Sequence, residues 1–137
     1  MSAPELGVGA VVVDDGRLLL VRRSAPPGPG TWAVPGGGVE AGETLAEAVT
    51  RELREETGLE GACGPVIGVV EVLPEQGEGR HVVVLGFEVT LFEAAEPSAG
   101  DDALVARWIP LVDVADLVLA PGLAEFLHDH AIIETIT

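Results

Sequence analysis

Residues 37–59 read GGVEAGETLAEAVTRELREETGL, and the second half of this stretch poses a physical problem. Thr44 to Thr57 reads as a helix, because Thr44 and Glu47 match the capping-box spacing and Gly58 suits the position just past the last turn. At about 100° per residue, Leu45, Ala48, Val49 and Leu53 share the side that must be buried. Glu52 and Glu56 fall on that same side and Glu55 at its edge, while Glu47 and Arg54 point away. The apolar stripe therefore turns acidic over its last two turns. Carboxylates are disfavoured at a helix C-terminus, and an i,i+4 pair such as Glu52 and Glu56 repels further. Two such charges about 5–6 Å apart, at an effective dielectric of about 20, repel by roughly 3 kcal/mol. Arg51 relieves part of this, but three inward carboxylates need more than one arginine. Carboxylate oxygens suit hard divalent cations, so a shared Mg²⁺ or Mn²⁺ site is the simplest compensation. Judged alone, an ordinary charged helix end would be the plainer reading, because glutamate is common in helices.

The rest of the chain narrows the choice. Its 137 residues fit one domain, residues 1–137, with a real core. The formal charge is −16, with no lysine and seven arginines, so the surface repels nucleic-acid phosphates and anionic membranes alike. An anionic substrate is compatible with this charge only if divalent metals bridge the two. Cys63 is the single cysteine, which excludes an internal disulfide and CxxC-type metal sites. The N-terminal MSAPELGVGAVVV has no basic region and too short an apolar run for a signal or membrane segment, so a soluble cytoplasmic protein is expected.

Strand-like runs surround the helix. Residues 6–13 and 17–22 are β-rich and flank Asp15-Gly16, a type I′ turn pair, which predicts a hairpin. After a Pro/Gly loop at 24–31 comes a short strand in WAVPGGGVEAGE, broken by Pro35 and the glycines. Residues 66–73 and 81–92 read as two longer strands, 93–103 as a loop and 104–109 as a last strand. The C-terminal part reads as helix, with Pro121 in its first turn before GLAEFLHDH. The pattern predicts α/β architecture, a mixed sheet with helices packed on it.

The same 37–59 stretch resembles the Nudix box at every fixed position: Gly37, Glu43, Arg51, Glu52, Leu53, Glu55, Glu56, Gly58 and Leu59. Seven of these are fixed identities at roughly one in twenty each, odds on the order of 10⁻⁹ per starting point. The flanks agree, since GTWAVPGG and ARWIP are similar to runs that family members often carry. The resemblance implies a Nudix-type α/β/α sandwich around a central mixed sheet. It also implies Mg²⁺-dependent hydrolysis of a nucleoside diphosphate linked to another moiety. Glu52, Glu55 and Glu56 would hold the metals, and the Gly36 carbonyl would add a ligand. Glu43 and Arg51 would orient the catalytic loop and helix. The base that takes the proton from water would be Glu56 or a loop acid, here Asp102, with Glu75 and Glu78 weaker candidates.

Other residues have two readings each. Arg22 and Arg23 could meet a substrate phosphate or serve as surface charges. Trp32 could stack on a base or pack beneath the glycine loop. Phe87 and Trp108 read as core, and His81, His128 and His130 share no evident cluster. Pro74 and the stretch GDDALVARWIPL resemble members that cleave ADP-ribose. The alternatives are a nucleoside triphosphate pyrophosphohydrolase and, from another class, a non-catalytic nucleotide sensor, which the intact box disfavours. The partner is thus a small-molecule nucleotide. A homodimer is common in similar proteins, and the apolar tail AIIETIT could pack on a second copy.

Overall fold

The β-rich run near the N-terminus divides between two sheets. In this computed structural model, which describes residues 3–24, 30–100 and 103–134, β1 (Glu5–Val11) leaves its neighbour in sequence. Only β2 (Val13–Asp14) continues into a hairpin with β3 (Arg17–Arg23). The turn residues Asp15 and Gly16 have φ of 51° and 71°, as a type I′ turn requires. The expected long hairpin is thus two residue pairs deep. The reason lies in β1, which carries apolar residues or glycine on both faces and so can occupy a doubly covered, parallel position.

That position is beside β7 (Val82–Leu91), which β1 pairs in parallel. β5 (Gly36–Gly38) lies antiparallel on the other side of β1, and β6 (Gly61–Val72) antiparallel on the outside of β7. The result is a mixed sheet ordered β5-β1-β7-β6. A second, antiparallel sheet is built on β3, which pairs β2, β4 (Trp32–Ala33) and β8 (Ala103–Pro110). α1 (Leu45–Thr57) buries Ala48, Val49 and Leu53 against Val8 and Ala10 on one face of β1 and Val12 just past its end. α2 (Leu123–Asp129) covers the opposite face, joining Phe126 and Leu127 to Val11, Leu18 and Leu20. Helices on both sides of a mixed sheet are the sandwich that the resemblance implies.

Two boundaries differ from expectation. β6 begins at Gly61 rather than 66, although it contains Pro65, because it is an edge strand and its ladder shifts register between Cys63 and Gly68. Pro121 lies outside α2, whose N-cap is Gly122 at φ 81°. Ile132 and Ile133 of the C-terminal tail pack into this chain's own core. No helix among the described residues is long and apolar enough to cross a membrane.

Register produces a feature that no single strand displays. Gly36 of β5 pairs Gly9, Gly9 pairs Gly86, and Gly86 pairs Gly68, a row of glycines across all four strands of the mixed sheet. A Cβ on Gly86 would lie 2.7 Å from Phe126 Cζ, and one on Gly68 2.5 Å from His130 Nε2. Gly68 and Gly86 leave the space that Phe126 of α2 and His130 at its C-cap fill. Gly86→Ala is expected to destabilise the fold by about 1–3 kcal/mol through overpacking against Phe126, measured by urea denaturation; wild-type stability would show that α2 can shift without loss.

Candidate active site

Local sequence fixes α1 at both ends. At the start, the Thr44 hydroxyl accepts from Glu47 N–H at 3.1 Å, and Glu47 Oε1 accepts from Thr44 N–H at 2.8 Å. At the end, Gly58 is left-handed with φ 75° and its N–H donates to the Arg54 carbonyl. The Thr57 hydroxyl donates to the Leu53 carbonyl at 2.6 Å. The loop that follows β7 then returns to the helix terminus. Ser98 N–H donates to the Thr57 carbonyl at 2.8 Å and Gly100 N–H to the Glu56 carbonyl at 3.3 Å. These amides satisfy carbonyls that a helix end otherwise leaves open, and they reduce the negative potential there.

With the axis fixed, the glutamates meet the glycine strand. Glu56 is 6% exposed, and its Oε1 accepts from Gly36 N–H at 2.7 Å. A Cβ on Gly37 would lie 2.6–2.8 Å from all three carboxyl atoms of Glu52, so only a glycine lets that carboxylate approach the strand. Arg51 connects the rest. Its Nε and Nη2 donate to the two Glu43 oxygens at 2.7 and 3.0 Å. Nη1 reaches Glu52 at 2.6 Å and Glu55 at 3.1 Å, and Nη2 also reaches the Gly38 carbonyl at 2.9 Å. The Arg51 guanidinium, with help from the Glu40 backbone amide, holds the Glu43 carboxyl below its ordinary pKa. The paired carboxylates in turn keep Arg51 firmly protonated.

The structure thus gathers Gly36, Glu43, Arg51, Glu52, Glu55 and Glu56 around one strand and one helix end. The contact it shows from Gly36 is through the amide. Among the described residues, no three His, Cys, Asp or Glu side chains close into a cluster of metal-binding size. Glu52 and Glu55 lean on Arg51, and Glu56 on the Gly36 amide. The donor chemistry nonetheless fits a hard cation, since every side-chain donor here is a carboxylate oxygen. Asp102 lies outside the described residues. Glu75 and Glu78 are exposed in the β6–β7 turn.

A cavity of about 160 Å³ runs along the other side of the glycine strand, touching Gly36, Gly37 and Gly38. Gly7, Gly9 and Gly86 line it, with Val84 and Phe126 among its apolar walls. Arg23 lines it too, whereas Arg22 is exposed on β3. Trp32 packs on the core beneath α2, its backbone bonded to Val118 and Ala120. Phe87 and Trp108 pack on the core beneath α1, and Trp108 Nε1 donates to the Ala95 carbonyl at 2.9 Å, tying down the loop that caps α1. Sequence reasoning missed the cavity's glycine floor, because those glycines are scattered over three strands.

One consequence concerns pH. Glu43 has a folded pKa below its ordinary 4.5. Its pairing with Arg51 therefore adds stability above that value, and the contribution is lost as pH falls through the depressed folded pKa. Arg51→Met is expected to unfold at lower urea than wild type at pH 7, with the gap closing as the solution is acidified through the carboxylate range. A gap independent of pH would mean that packing, not charge, is what Arg51 contributes.

Comparison with known proteins agrees with this geometry. The chain is 37% identical over 114 residues to an ADP-ribose pyrophosphatase of Methanocaldococcus jannaschii, covering 83% of this chain and 66% of that one. It is 31% identical over 116 residues to a CTP pyrophosphohydrolase of Escherichia coli, covering 84% and 82%. Its fold superposes on the crystal structure of a MutT protein from Methanosarcina mazei with a TM-score of 0.83, at 25% identity and 96% coverage of both chains. The NUDIX domain model matches residues 3–130. A match of that extent, carried by a box whose carboxylates, arginine and glycines meet in space as described, means that this chain belongs to the Nudix domain family.

Proposed function

We propose that the chain is a cytoplasmic, Mg²⁺- or Mn²⁺-dependent pyrophosphohydrolase acting on a nucleoside diphosphate linked to another moiety, with ADP-ribose or a similar nucleotide sugar as substrate. The observation that carries this reading is the shared strand: Gly36–Gly38 meets the glutamates of α1 on one side and walls the cavity on the other. A nucleotide held in the cavity would present its diphosphate to the carboxylates past β5, the edge strand of the sheet. The similarity to the archaeal protein named for ADP-ribose supports the substrate class.

In this reading Glu52, Glu55 and Glu56 of α1 would hold the divalent ions, with the Gly36 carbonyl of β5 as a further ligand. When bound, such ions neutralise phosphoryl oxygens and acidify a water at neutral pH. Arg51 and Glu43 hold the carboxylates in place, a positioning role that leaves both free of chemistry. Arg23, on the cavity wall, pairs with a phosphate. Glu56 or Asp102 takes the water's proton. The flat glycine floor and the apolar wall take the base and exclude water from it. The similarity to the bacterial CTP pyrophosphohydrolase, over most of both chains, favours a second reading in which a nucleoside triphosphate is the substrate.

Glu56→Gln separates chemistry from structure, because the glutamine carbonyl oxygen can still accept from Gly36 N–H. It is expected to lower turnover of ADP-ribose at least about 100-fold while leaving circular dichroism unchanged. Mg²⁺ should raise the Tm of the wild type and raise that of the variant less. Near-normal rates in the variant, or wild-type activity that survives EDTA, would remove Glu56 and the cation from the mechanism.

A further inference from the structure

Two of the described residues that line the cavity carry charged side chains, Arg23 and Glu5. A cationic side chain suits a cavity for an anionic substrate. A carboxylate does not, since it repels the diphosphate in a chain already at −16. The Glu5 side chain is half exposed, and both its backbone and its carboxylate have partners. Its backbone N–H donates to the His81 carbonyl at 2.8 Å. Its two oxygens accept from Arg80, Oε1 from Nη2 at 2.6 Å and Oε2 from Nε at 3.0 Å.

The position is informative. Glu5 alternates with Gly7 and Gly9 and so belongs to the cavity face of β1. Its register partner, Val82, lines the cavity as well. The neighbouring ion pair, His81 with Glu71 at 2.7 Å, falls on the opposite face, since Glu71 pairs Val83. Gly9 pairs Gly36, whose amide holds Glu56. From Gly9 to Glu5 is four residues, roughly 13 Å along the strand, a span comparable with a nucleoside 5′-phosphate. A substrate whose phosphates lie at Glu56 would therefore bring the edge of its base to Glu5.

We propose that Glu5, fixed by Arg80, is a specificity-determining residue that accepts a hydrogen bond from the exocyclic amine of the base and selects amino-bearing bases over their oxo counterparts. The inference rests on the pyrophosphohydrolase reading. An ionised carboxylate only accepts, and each oxygen retains capacity beyond its bond to Arg80. The 6-amino group of adenine and the 4-amino group of cytosine donate. The 6-oxo group of hypoxanthine and the 4-oxo group of uracil would meet Glu5 as acceptor against acceptor. Arg80 also holds the Glu5 carboxyl below its ordinary pKa, so it remains an acceptor at neutral pH.

The test compares kcat/KM for ADP-ribose and its inosine analogue, which differ at the 6-position, in the wild type and in Glu5→Gln. The wild type is expected to favour ADP-ribose by about ten-fold, the worth of one charge-assisted hydrogen bond. Glu5→Gln should bring the ratio close to one, because its amide can donate to the 6-oxo group. If triphosphates are the substrates, CTP against UTP gives the same readout. A wild-type ratio near one with brisk turnover would overturn this inference and leave the hydrolase reading intact. Equal losses on both substrates in Glu5→Gln would reduce Glu5 to a structural residue and overturn it too. Turnover of none of the four would overturn both.

Discussion

The Arg51 guanidinium bonds Glu43 through two nitrogens and reaches Glu52, Glu55 and the Gly38 carbonyl with the same fork, and this arrangement makes the end of α1 possible. Without it, carboxylates would crowd a helix terminus that the backbone already makes negative. Arginine suits the role because its planar fork serves several acceptors in fixed directions, whereas a lysine is a point charge. The ladder of contacts also joins the helix to the loop before it and to β5. The carboxylates of Glu52 and Glu55 therefore take their positions from the fold's own electrostatics.

Glycine does the complementary work. At Gly36 and Gly37 the strand lets Glu56 bond to the backbone and Glu52 lie against Cα. On the other face of the mixed sheet, Gly9, Gly68 and Gly86 admit the side chains of Val34, His130 and Phe126 where a Cβ would collide. One sheet thus supports a charged site on one side and an apolar cavity on the other. The strand common to both is β5, three glycines long and at the edge of the sheet.

Much of the site was legible because it is local. The capping box, the left-handed Gly58 and the acidic stripe all lie within 23 consecutive residues, where helix periodicity alone decides which side chains share a face. The buried state of Glu56 beside Val49 and Leu53 follows from that periodicity. The fold class was legible for the same reason, since strand and helix signals alternate along the chain. The errors came where local patterns met tertiary competition. The Asp15-Gly16 turn predicted a long hairpin, but β1 gained more by lying between β5 and β7. The strand read at 66–73 begins at Gly61 instead, because an edge position tolerates Pro65.

The sequence by itself determined the elements, the charged face of α1 and the family, because each depends on residues within a few turns of one another. Only the tertiary structure decided the row of glycines from Gly36 to Gly68, the approach of the Ser98 and Gly100 amides to α1, and the pairing of Glu5 with Arg80 at the cavity. Those depend on strand register and order. A shift of one residue in register would turn every side chain of a strand to the other face, and nothing within any one segment specifies which distant segment will lie beside it.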